Sequence, residues 1–174
     1  MQFKLVPEAP DSVDYLETVG AAVPLVPGTE DDCCARIMRK TEISPRDEAR
    51  TWLTFLRALE LAKEGPTGFH RVRGRPAPSD PAEFSRLRES FVSRVYGVER
   101  ILRILEAAEA PLTVQAVFDR FRESIPQYEQ HKHRNRLRKI WGERVARILE
   151  WAVLFDLAAM VPEGYTVADS KPNQ

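Results

Sequence analysis

The sequence predicts a mainly α-helical fold carrying small β-hairpins, laid out as two successive units. Three observations carry that expectation: capped helix starts at several points, apolar residues recurring at three- and four-residue steps, and a segment that returns 96 residues later. A chain of 174 residues, 43% hydrophobic, can bury the core of one domain or of two small ones. No apolar run approaches the roughly 18 residues of a membrane span. The opening Met1–Glu8 lacks the apolar stretch of a signal peptide. The two cysteines, Cys33 and Cys34, are adjacent and cannot staple a fold. The expectation is a reduced, cytoplasmic protein with two buried free thiols.

Taken in order, the first helix is expected over about 11–22 and the second over 30–41, with Thr29 as its cap and Glu30, Asp31 and Asp32 in its first turn. Ser44-Pro45-Arg46-Asp47 offers a serine cap, a proline at the first helical position and an acid two residues on, so a third helix is expected over 45–62. Its apolar face is Ala49, Trp52, Leu53, Leu56 and Leu59, and a hairpin over 63–73 follows. Asp80-Pro81-Ala82-Glu83 opens the next helix. Phe84, Leu87, Phe91, Val95, Val98, Ile101 and Leu105 continue one stripe across Gly97, as one helix over 81–108 or two abutting ones. Thr113 caps a helix over 113–123. Leu137, Trp141, Val145, Ile148, Leu149, Ala152 and Phe155 mark another over 131–157, and a hairpin over 158–168 closes the series. A short strand is also expected at Phe3–Val6.

The repeat aligns Leu59-Glu60-Leu61-Ala62-Lys63-Glu64-Gly65-Pro66-Thr67-Gly68-Phe69 with Phe155-Asp156-Leu157-Ala158-Ala159-Met160-Val161-Pro162-Glu163-Gly164-Tyr165 without gaps. At the same offset Leu53 meets Leu149 and Phe55 meets Trp151. Proline fixes the approach to each turn, and glycine supplies a positive φ within it. The reading that follows is a first unit over 1–75, a linker over 76–80, a second unit over 81–168 and a disordered tail over 169–174. The second unit carries about ten extra residues between its second and third helices, from Glu123 to His133.

Three helices closed by a hairpin, twice over, resemble the winged-helix superfamily. Ala110-Pro111-Leu112-Thr113-Val114 resembles the opening of the second helix of a helix-turn-helix. Arg147 to Ala158, followed by Glu163-Gly164-Tyr165, resembles a third helix running into its wing. The acidic N-terminal part, with Asp31-Asp32-Cys33-Cys34-Ala35-Arg36, is similar to uncharacterised haloarchaeal proteins, and Arg outnumbers Lys 20 to 6. The resemblance implies a tandem winged helix-turn-helix whose third helices are the usual recognition helices and whose hairpins are wings. It implies a non-enzymatic binder of double-stranded DNA, a transcriptional regulator in the leading version. The alternative is a protein-interaction adaptor on the same fold, as in segregation and condensation protein B or endosomal-sorting subunits.

Charge placement selects the candidate residues. The chain has 26 basic and 26 acidic residues, which excludes a uniformly basic, histone-like protein. Residues 1–34 nevertheless hold seven acids against Lys4 alone, whereas residues 131–147 hold seven cations against Glu143 alone. Clustered cations are the footprint of a polyanion site. The candidates in the second unit are Lys132, Arg134, Arg136, Arg138, Lys139 and Arg144. In the first unit Arg46, Arg50 and Arg57 occupy one side of the third helix, and Arg71 and Arg73 follow its hairpin. No glycine-rich phosphate loop, nucleophile elbow or supported acid pair points to catalysis. The cysteines, with His131 and His133 on different helix faces, give no four-ligand zinc set, so no metal or cofactor is expected. The apolar stripe over 84–105 is the expected seam of a homodimer or the docking face of one unit on the other.

Overall fold

The computed structural model describes residues 2–168; the expected tail over 169–174 lies outside them. The chain divides into two compact units, Met1–Tyr96 and Gly97–Gln174. The first holds α1 (Tyr15–Ala22), α2 (Glu30–Lys40), α3 (Arg46–Ala58), β1 (Ala62–Gly65), β2 (Gly68–Arg71) and α4 (Pro81–Arg94). The second holds α5 (Val98–Ala107), α6 (Val114–Phe121), α7 (Gln127–Lys132), α8 (Leu137–Leu154), β3 (Ala158–Val161) and β4 (Gly164–Val167).

In the first unit Thr29 caps α2 by accepting from the Asp32 amide at 3.0 Å. The expected Ser44 cap is not formed. Pro45, expected as the first helical residue, is instead the N-cap of α3, one place before Arg46, and no side chain caps that end. Leu16, Val19, Ile37, Ala49, Leu53 and Leu56 are buried, with Trp52 set edge-on against Tyr15 and Phe55. β1 and β2 pair antiparallel from Ala62–Arg71 to Gly65–Gly68. Gly28 adds a third rung, exchanging both backbone hydrogen bonds with Phe69 at 2.8 and 2.9 Å. Phe3 makes only an isolated parallel bridge to Val95, not the strand expected over Phe3–Val6.

The division falls later than the sequence suggests, because α4 closes the first unit instead of opening the second. Several contacts hold it there. The Arg75 guanidinium donates to the buried Glu83 carboxylate at 2.7 Å, and the Ser90 hydroxyl donates to Glu60 at 3.1 Å. Arg94 donates to the Ala58 carbonyl at 2.9 Å, and the Phe91 ring meets Phe55. Asp80 caps α4 through the amides of Ala82 and Glu83, as its sequence indicates.

Of the two arrangements expected over 81–108, the two abutting helices are formed, α4 and α5, and the single helix is not. Gly97 has φ +90°, outside the right-handed helical region, and a Cβ there would lie 2.8 Å from the Phe121 ring. The stripe is therefore split. Leu87, Phe91 and Val95 are buried in one unit and Val98, Ile101 and Leu105 in the other. Of the residues expected to form a homodimer seam, Phe84 is left half-exposed. The helix expected over 131–157 is also interrupted: α7 stops at Lys132, and α8 begins at Leu137 after a turn closed by Arg136 N–H donating to the His133 carbonyl at 2.8 Å.

The repeat is reproduced bond for bond. Leu112 exchanges backbone hydrogen bonds with Tyr165 as Gly28 does with Phe69, at 2.7 and 2.8 Å. Glu60 and Asp156 both take positive φ, 63° and 57°, directly after their helices. Leu61 donates to the Leu56 carbonyl and Leu157 to that of Ala152, both at 2.8 Å. Thr113 caps α6 as Thr29 caps α2. The caps lie 84 residues apart and the hairpins 96, so twelve residues are inserted in the second unit, and they hold α7.

Candidate nucleic-acid interface

In the second unit the cations gather just before and at the start of the third helix. Lys132, Arg134, Arg136 and Lys139 are exposed, and none has an ion-pair partner among the described residues. Arg136 is the N-cap of α8, no side chain caps that end, and no acid lies in its first turn. The free amides of an 18-residue helix therefore add partial positive charge beside four solvated cations.

The other two candidates here are engaged. Arg138 reaches Asp119 of α6 at 3.2 Å and lies 5.0 Å over the Phe118 ring. Arg144 donates to Glu129 at 3.3 Å and stacks 4.6 Å over the buried Trp141. Glu129 is 4% exposed and also meets His133 at 3.4 Å, so one buried carboxylate ties α7 and its following turn to α8. That clamp sets the backbone on which Lys132, Arg134 and Arg136 are displayed. Tyr128 adds an exposed aromatic on α7.

The first unit is arranged differently. Arg46 is ion-paired with Asp31, which holds its guanidinium firmly charged, and Arg50 meets Glu30 at 3.0 Å. Both acids sit in the first turn of α2, so the outer side of α3 is neutralised by its neighbour. Arg57 is half-buried, sandwiched against the Phe3 and Phe69 rings at 5.3 and 5.4 Å and paired with Glu64 at 3.0 Å. It is a packing residue rather than a presented cation. Arg71 and Arg73 carry no ion pair among the described residues, but they lie at and beyond the closing end of β2, away from the Gly65–Gly68 tip. The hairpin of the second unit, Ala158–Val167, holds no cation and exposes Met160.

A family model described as the halobacterial double winged helix domain matches residues 1–172. The chain belongs to that family. No significant match was found among curated proteins or among solved structures.

As a double winged helix, the chain uses α3 and α8 as its third helices and the hairpins β1–β2 and β3–β4 as its wings. The fold is one that typically binds DNA. Sequence reasoning missed the residues that decide which cations of this double winged helix are available: Glu30, Asp31, Asp119 and Glu129. Only Glu129 left a sequence signal, its four-residue spacing to His133. The pairs of Glu30, Asp31 and Asp119 join different helices. No membrane-spanning helix occurs among the described residues. Cys33 and Cys34 are buried, and burial first of all pushes both thiols above their usual range.

Proposed function

We propose that the protein binds double-stranded DNA through its second unit and acts as a transcriptional regulator. Lys132, Arg134, Arg136 and Lys139 contact phosphates, and the N-terminal end of α8 approaches the groove. The observation that carries this reading is the set of four exposed, unpartnered cations at the start of a third helix. Phosphate contacts supply affinity and register, whereas base edges supply specificity. Arg46 and Arg50 are secondary contacts in this reading, because their charge is already matched by α2.

The test is salt-titrated binding to random duplex DNA. Changing Lys132, Arg134, Arg136 and Lys139 together to Ala should weaken binding to every duplex alike. It should lower the slope of log affinity against log salt by about 0.9 per lost contact, so by up to about 3.6. Wild-type protein that fails to bind duplex DNA at low salt would overturn the proposal. That result would favour the adaptor reading, which draws its support from the neutralised α3 face and the cation-free, Met160-exposing second wing.

A further inference from the structure

The first unit contains a cleft of about 370 Å³ between α1 and the segment that follows β2. That volume lies within the range of small-molecule sites. Leu16, Leu25, Leu61 and Pro76 make its walls largely apolar, and the Leu25 side chain remains 40% exposed at the rim. Gly20 forms part of the lining from inside α1. A Cβ built there would meet nothing within 4 Å, so the missing side chain opens space instead of relieving a clash. A glycine inside a helix is unfavourable relative to alanine, and nothing in the packing at this position requires it.

The segment that closes the cleft is held in place before any ligand arrives. Arg71 N–H donates to the Pro24 carbonyl at 2.8 Å and Val72 N–H to that of Leu61 at 3.0 Å. Arg75 is fixed by the buried Glu83 and by the Glu60 carbonyl at 2.8 Å. Between these anchors Arg71 and Arg73 also line the cleft, with no charge partner among the described residues. The one acid in the lining, Glu17, is exposed on α1, so the site is cationic on balance.

We propose that this cleft binds a small amphiphilic anion, a carboxylate carried on an aromatic or short aliphatic body. The apolar body lies on Leu25, Leu61 and the space above Gly20, and the carboxylate meets Arg71 and Arg73. An apolar cavity with two unpaired arginines in its lining orients such a molecule in one direction. An uncharged analogue gains only the apolar part.

The experiment is amide chemical-shift mapping on the full chain with 4-phenylbutyrate, and with 4-phenylbutan-1-ol as the uncharged comparison. The acid should saturate shifts around Gly20, Leu61 and Gly74 with a Kd of about 1 mM or tighter, and the alcohol should bind about tenfold more weakly. Arg71→Ala with Arg73→Ala should cost the acid about tenfold and leave the alcohol unchanged. Gly20→Leu fills the cleft and should abolish both, with the helical circular-dichroism signal retained. No saturable shift with the acid up to about 10 mM would overturn the proposal. Binding of the acid unchanged in the double arginine variant would also overturn it, because that variant removes no core side chain and its folding is not in question.

Discussion

Gly164 faces the Leu112 carbonyl so closely that a Cβ on it would lie 2.4 Å from the oxygen, and Gly68 stands in the same relation to Gly28, also at 2.4 Å. Both glycines have positive φ, +142° and +134°. This is the point at which each hairpin locks onto the segment preceding the second helix. Gly164→Ala must therefore accept a disfavoured backbone and push the hairpin away from the Leu112 segment. It should destabilise the second unit by about 2 kcal/mol or more, read as a lowered urea midpoint. Gly68→Ala should do the same to the first unit. A midpoint unchanged in either variant would mean that the third rung does not hold the hairpin.

Trp52 tests the core of the first unit. It is 3% exposed and sits edge-on to Tyr15 at 5.7 Å and to Phe55 at 6.3 Å between ring centres. Trp52→Ala removes the largest side chain of that cluster and should cost roughly 3–5 kcal/mol. A melting temperature equal to the parent's would contradict the assignment of this helix face to the core.

Much of this architecture is legible before folding. Thr29, Asp80 and Thr113 announce their helices because a cap is local chemistry, satisfied within three residues. The 96-residue repeat is legible because Gly68 and Gly164 are demanded by backbone geometry that no other residue meets cheaply. The break at Gly97 is legible only as one of two alternatives, since the apolar step pattern runs through it unchanged and the deciding contact, Phe121, is 24 residues away. The site was half legible. The cation run over 132–139 is visible as composition, but the pairing of Arg46 with Asp31 and of Arg138 with Asp119 depends on how helices pack. Those pairings, with the ion pairs of Arg50, Arg57 and Arg144, remove five arginines from the freely presented charge and leave the rest.

The adjacent thiols predict a pH dependence. Burial is the main cause that raises both Cys33 and Cys34 above their unfolded values, and burial likewise raises Tyr165. A folded pKa above the unfolded one means that the folded state holds more protons in the alkaline range. The contribution is complete below about pH 8, where the thiols are protonated in both states, and is lost as the pH rises through about 9 and beyond. The urea midpoint should therefore fall between about pH 8 and 10, and Cys33→Ala with Cys34→Ala should flatten part of that fall. A midpoint that rises over this range would reverse the sign and contradict the burial of the pair.

The division of labour between the two third helices is tested by unmasking α3. Glu30→Gln with Asp31→Asn keeps the shape of the α2 first turn but removes the charges that match Arg50 and Arg46. These pairs are exposed, and exposed pairs together with first-turn acids contribute little, so the urea midpoint should move only slightly. Two guanidinium groups would then be free on the outer side of a winged-helix third helix. If that side lies against DNA, affinity for random duplex should rise, and the salt slope should steepen by about 0.9 for each new phosphate contact, up to about 1.8. Loss of two negative charges alone would also raise affinity, so the same change is made in an Arg46→Ala, Arg50→Ala background. A gain that vanishes there belongs to the arginines and puts α3 on the DNA. A gain that persists there is relief of acid–phosphate repulsion, and the second unit then carries the phosphate contacts without α3.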